Sequence, residues 1–105
     1  MISLMVMSRG LGISATQLAH IKAICTGLLS VKAAVIFGSR SLGNYREGSG
    51  LDICLIDHEM TFSELLSIQS QIENLNLPIH CEVIRFSTLQ NEDLREHIER
   101  VGVEL

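Results

Sequence analysis

Two short stretches carry residue types that could do chemistry, Phe37-Gly38-Ser39-Arg40-Ser41-Leu42-Gly43 and Gly48-Ser49-Gly50-Leu51-Asp52-Ile53. In the first, an apolar run meets Gly-Ser and then a short helix start. Such a turn leaves backbone N–H groups without partners and sets a small hydroxyl beside them, which is where a phosphate docks. The glycine lets the ligand come close. Taken alone, Gly-Ser after a strand is also an ordinary strand-to-helix turn, so a second element is needed. Asp52 supplies it, because Asp is depleted in strands and costly in a sheet interior, and this one stands between Leu51 and Ile53. Glu82, between Cys81 and Val83, raises the same question. Two carboxylates from neighbouring strands beside a phosphate-binding turn give Mg²⁺ hard oxygen ligands, with water and substrate phosphate filling the other positions. That is the arrangement phosphoryl or nucleotidyl transfer requires.

The elements that must position these residues are legible in the hydrophobic pattern. Ser14-Ala15-Thr16-Gln17 has capping-box form, and Leu18, Ile21, Cys25 and Leu28 follow at helical spacing with Ile24 widening the stripe, which predicts a helix over Ala15 to Leu28. Val31 to Phe37 is β-branched and apolar, too short for a helix, and stopped by Gly38-Ser39, so it reads as a buried strand. Between Arg40 and Gly50 the chain is polar, with turn chemistry around at most one short helical stretch near Ser41. Leu51 to Asp57 is a second strand, with Asp52 inside it. Thr61-Phe62-Ser63-Glu64 is another capping box, and Phe62, Leu65, Leu66, Ile72 and Leu75 mark the inward face of a helix that ends before Pro78. Ile79 to Phe86 is a third strand whose polar face carries His80 and Glu82. Ser87-Thr88-Leu89-Gln90 caps a last helix on which Leu94, Ile98, Val101 and Leu105 recur. The order is αβαβαβα, an α/β domain with a small three-stranded sheet flanked by helices.

With 105 residues, 47% of them hydrophobic, the chain suits one domain over 1–105 that buries roughly 60 to 70% of its unfolded surface. The longest apolar run is five residues, Ala33 to Phe37, against the ~20 a membrane-spanning helix needs. Eight Lys plus Arg stand against 12 Asp plus Glu, a net charge of −4 that argues against strong nucleic-acid binding. The N-terminal Met1-Ile2-Ser3-Leu4-Met5-Val6-Met7 has no basic residue before it and no small-residue cleavage site, so a cytoplasmic protein is expected, with Met1, Met5 or Met7 as its start. Cys25, Cys54 and Cys81 are odd in number and sit among apolar residues, so buried free thiols are expected. His20 and His97 read as solvated helix residues, since no second His stands at metal spacing. His80 either borders the site or lies on the surface. Arg40 and Arg46 read either as phosphate contacts or as solvated loop residues, and only Arg40 lies within the motif.

Gly38-Ser39, followed ten residues later by Gly50-Leu51-Asp52, resembles the Gly-Ser-x10-Asp-x-Asp signature of minimal nucleotidyltransferase domains of the DNA polymerase beta superfamily. Arg40, Gly43, Gly48 and Ser49 also match that family's common form, and Glu82 stands where the family places its third carboxylate, more often Asp. The resemblance implies a nucleotidyltransferase fold with a mixed sheet. It also implies an NTP, in the first instance ATP, bound with Mg²⁺ at Gly38, Ser39 and Arg40, with Asp52 and Glu82 as metal ligands and catalytic carboxylates. Stand-alone domains of this size resemble antitoxins whose partner is an all-helical HEPN toxin, and family members adenylylate a tyrosine of that toxin. The acceptor site is then completed by a second protein, and a homo-oligomer is allowed.

Gly50 is the departure, standing where the first Asp of the pair belongs. Residues two apart on a strand project to one side about 6 to 7 Å apart, so the usual pair jointly holds two ions. Asp57 does not substitute, because its odd offset from Asp52 turns it to the other face. A glycine here also allows a positive φ. Two expectations follow: a transferase impaired at one metal ligand, or a catalytically inactive module of the same fold that neutralises its partner by contact.

Overall fold

The computed structural model describes residues 11–105. The N-terminal segment on which the cytoplasmic reading rests lies outside the described residues. Chain order is α1 (Ala15–Cys25), β1 (Val31–Phe37), α2 (Ser39–Leu42), β2 (Leu51–Asp57), α3 (Phe62–Glu73), β3 (Cys81–Arg85), α4 (Glu92–Val101) and β4 (Val103–Glu104). Both capping boxes form: Ser14 with Gln17 starts α1 and Thr61 with Glu64 starts α3, each satisfying two otherwise orphaned N–H groups.

The strands lie in the order β3-β2-β1-β4. Strands β1 and β2 are antiparallel, β2 and β3 parallel, and β4 runs antiparallel along β1. The expected three strands are therefore four. The spacing of Val101 and Leu105 predicts a last helix that runs through Leu105. Instead α4 ends at Val101, Gly102 takes extended backbone, and Val103 and Glu104 pair with Ile36 and Val35. Its start was also misplaced, for Asn91 is the cap, its side chain accepting from the Leu94 N–H, while Ser87 is committed to Asp57.

Strand alternation divides the core between the two faces of the sheet. Ile36, Leu51, Ile53 and Leu55 pack against Leu18, Ile21 and Cys25 of α1 and Ile68 and Ile72 of α3. On the other face Val35, Phe37 and Cys54 pack under Ile98 of α4. Of the expected inward face of α3, Ile72 is buried and Leu65 and Leu75 pack against the core, but Phe62 and Leu66 are 61% and 51% exposed and Ile68 takes the buried place instead. No helix among the described residues is long and apolar enough to cross a membrane. All three cysteines are free and buried, and burial pushes the Cys25 and Cys54 thiols up to about 12, which leaves neither as a nucleophile at neutral pH.

Candidate functional site

The site begins where β1 ends. Phe37 stands opposite Asp52 in the antiparallel register, and Asp52 stands opposite Glu82 in the parallel one. Two neighbouring strands thus place their carboxylates side by side, level with the last residue of β1. Both belong to the face covered by α4, since Asp52 alternates with Leu51 and Ile53 of the opposite core and shares its side with Cys54. Asp52 is half-buried and Glu82 exposed.

Gly38 is the residue that lets the turn approach them. Its φ of 78° with ψ of −153° is a conformation essentially confined to glycine. A Cβ added there would lie 2.5 Å from Oδ2 of Asp52. The turn and the carboxylate are therefore in contact through a gap that no other residue type leaves open. Directly after it α2 begins, so the N–H groups of Ser39, Arg40 and Ser41 have no intrahelical acceptor. The Ser41 hydroxyl donates to the Gly38 carbonyl, and Gly43 closes the short helix in left-handed backbone.

Arg40 is placed differently from the phosphate contact expected of it. It is buried, and its guanidinium donates to the Ser49 carbonyl from Nε and from one terminal nitrogen (3.2 and 2.8 Å) and to the Leu11 carbonyl from the other (2.6 Å). It also stacks on Tyr45, 4.6 Å from the ring centre. The side chain clamps the 43–50 loop in place, and what Arg40 presents at the turn is its backbone N–H. Arg46 is exposed, its N–H bonded to the Ser49 hydroxyl.

The charge balance at Asp52 is unusual. Burial and the nearby Glu82 carboxylate push its pKa above the ordinary 3.8, against the opposing pull of His80 and His97. No hydrogen-bond donor among the described residues relieves it. His80 is exposed and sits one residue before β3, where its carbonyl accepts from the Leu51 N–H. His97, expected to be a solvated helix residue, is half-buried and accepts a hydrogen bond from the Gly38 N–H at Nε2, 3.3 Å away. Sequence reasoning missed this because helical periodicity orders a residue against its own helix, while this contact spans 59 positions.

Gly50 lies beside His80, one residue before β2. Its φ is outside the left-handed region that Gly38, Gly43 and Gly48 occupy, so no conformational demand requires glycine there. A Cβ would stand 3.3 Å from the His80 carbonyl oxygen, a close contact that requires this backbone to give by a few tenths of an ångström. Among the described residues no group of three His, Cys, Asp or Glu comes together as a metal-binding cluster. Asp52 and Glu82 are the hard donors at the turn, the first half-buried and the second exposed. A cavity of about 380 Å³ nearby is lined by Ile79, His80 and Cys81, and another of about 480 Å³ by Arg40, Tyr45 and Glu47.

The family model described as Polymerase beta, Nucleotidyltransferase matches residues 19–105. Among solved structures, a chain of the crystal structure of a toxin-antitoxin with AMP-PNP is similar in fold, with a TM-score of 0.65 at 11% sequence identity, over 85% of this chain and 69% of that one. No curated protein matches the sequence significantly.

Proposed function

This chain belongs to the polymerase beta nucleotidyltransferase family, and from that premise we propose that it binds an NTP, in the first instance ATP, across the Gly38-Ser39 turn and the Asp52–Glu82 pair. It then transfers the nucleoside monophosphate to a hydroxyl of a partner protein. The observation that carries this reading is the contact between the turn and the carboxylate, with Gly38 leaving only the space that Oδ2 of Asp52 fills. The N–H groups of Ser39 and Arg40 and the Ser39 hydroxyl donate to phosphate oxygens. Arg40 holds the loop that frames them through Ser49.

The donor set fits one Mg²⁺ held by two carboxylates, with water and phosphate oxygens completing its six positions. It does not fit a pair of ions. When bound, the ion polarises the phosphate and neutralises charge developing on it. Asp52 and Glu82 would hold it, and the burial and charge repulsion that raise the Asp52 pKa are what a cation would offset. In the transfer step the acceptor oxygen bonds to the α-phosphorus, the bond from that phosphorus to the bridging oxygen breaks, and pyrophosphate leaves. The acceptor proton passes to Glu82, the more exposed carboxylate.

The exposure of Glu82 supports a partner that supplies the acceptor and closes the site against water. Similarity to a chain from a toxin-antitoxin structure with AMP-PNP supports a toxin as that partner, of the all-helical HEPN kind. A second reading, an inactive module that neutralises its partner by contact, is favoured by Gly50, which leaves two carboxylates where the family uses three.

The two readings separate in a transfer assay with labelled NTP and the partner. For the impaired enzyme, Gly50→Asp raises label incorporation on the order of 10²-fold by restoring a carboxylate on the Asp52 side of β2, and Asp52→Ala abolishes it. No label from either the native chain or Gly50→Asp would favour the contact module. A native rate that Gly50→Asp cannot better would mean that another group already supplies the missing ligand.

A further inference from the structure

Helix α4 reaches the phosphate turn through one side chain. His97 accepts the Gly38 N–H at Nε2, so that nitrogen carries the lone pair and the ring proton resides on Nδ1. The ring is fixed from a second direction as well. It stands edge-on to Phe37, with centroids 6.3 Å apart and planes at 82°. Phe37 is the last residue of β1 and Gly38 the residue before α2, so both contacts act on the two residues that aim Ser39. The rest of α4 is anchored beneath by Ile98, packed with Val35, Phe37 and Cys54, which gives the imidazole a rigid base.

This bond answers a specific demand. The Gly38 peptide is held in a glycine-only conformation, and its N–H lies outside both the β1 ladder's end and the α2 helix. The Gly38 carbonyl is held by the Ser41 hydroxyl and the Leu42 N–H, and Nε2 of His97 holds the N–H side of the same residue.

Resting on the nucleotide-binding reading, we propose that His97 is a positioning residue of the phosphate turn. As a neutral acceptor it fixes the Gly38 peptide so that the Ser39 hydroxyl and the N–H groups of Ser39 and Arg40 stay directed outward for phosphate. It neither ligates the ion nor takes a proton. Its contribution is the lone pair on Nε2.

Two variants of the full chain separate the lone pair from the ring. His97→Phe keeps a flat ring against Phe37 and deletes the acceptor, and His97→Gln restores a side-chain oxygen acceptor without the ring. Each is read by ¹⁵N NMR of the Gly38 amide, by titration calorimetry with Mg²⁺-ATP and by thermal melting. In His97→Phe the Gly38 amide shifts and exchanges faster, and ATP affinity falls about three- to tenfold, the scale of one neutral hydrogen bond. His97→Gln recovers most of both, and melting temperatures stay close to that of the native chain. An unmoved Gly38 resonance in His97→Phe would refute the contact. Native-like ATP affinity in His97→Phe, or affinity not recovered in His97→Gln while the amide is, would refute the positioning role. If the native chain binds no Mg²⁺-ATP, the nucleotide reading itself fails and the role falls with it, while the Gly38 resonance still reports whether the bond exists.

Discussion

Strand β2 carries an aspartate near each end, and the two are held in opposite ways. Asp57 accepts hydrogen bonds from the Met60 N–H, the Ser87 N–H and the Ser87 hydroxyl. Burial pushes its pKa up, but the Ser87 and Met60 bonds outweigh burial and hold the carboxyl below 3.8. Asp52 has no such donor among the described residues, and burial with the Glu82 charge pushes it the other way. One carboxylate is satisfied by the fold and ties β2 to the segment after β3. The other is crowded by a second carboxylate and has no hydrogen-bond donor, facing a turn whose Ser39 and Arg40 N–H groups have no acceptor among the described residues. A fold carries such a cost at a site where something else is meant to bind.

The contrast breaks most severely at the turn. Gly38→Ala forces a side chain into glycine-only backbone and drives its Cβ against Asp52, and is expected to cost on the order of 3 kcal/mol in urea denaturation. Gly43→Ala is the control, because its φ is also positive, at 79°, yet nothing lies within 4 Å of the added Cβ. Its loss should be clearly smaller. Equal losses would mean that Asp52 simply swings aside and that the turn and carboxylate are not tightly apposed.

The two aspartates should respond oppositely to neutralisation, with smaller effects. Asp57→Asn is expected to cost about 1 to 2 kcal/mol at neutral pH. Its folded pKa is lowered, so the stabilisation it gives is present above the unfolded value and is lost as pH falls through the folded one. The gap to the native chain closes in acid. Asp52→Asn is expected to stabilise, by up to about 1 kcal/mol. Its folded pKa is raised, so the penalty is absent below about 3.8, grows as pH rises through the folded value, and is constant above it. Melting curves across that window check both, and a destabilised Asp52→Asn would show that the carboxylate has structural partners after all.

Much of this was legible in the sequence where local signals and burial agree. Strands β1 and β2 were read with the bounds they have, because each is an apolar run closed by glycine or by charge. Asp52 and Glu82 were singled out because a carboxylate inside an apolar strand needs a reason, and the sheet sets them side by side. What failed was decided by tertiary contacts. Val103 pairs with Ile36 and leaves the helical pattern of Val101 and Leu105 unused. Ser87, in a plausible capping sequence, bonds to Asp57 30 positions away. Arg40 lies within the motif, yet its guanidinium is drawn to the carbonyls of Leu11 and Ser49. His97 joins the site only because α4 folds back over the end of β1, which no local pattern encodes.

The central claim, that the Asp52 end of β2 binds a metal-nucleotide and the Asp57 end only holds the fold, is tested most directly by titrating Mg²⁺-ATP into the native chain, Asp52→Asn and Asp57→Asn by calorimetry. All three are compared at a temperature where each is folded. The native chain and Asp57→Asn should bind with similar affinity, and Asp52→Asn should lose binding although it is the more stable protein. Binding retained in Asp52→Asn, or lost equally in Asp57→Asn, would contradict the account.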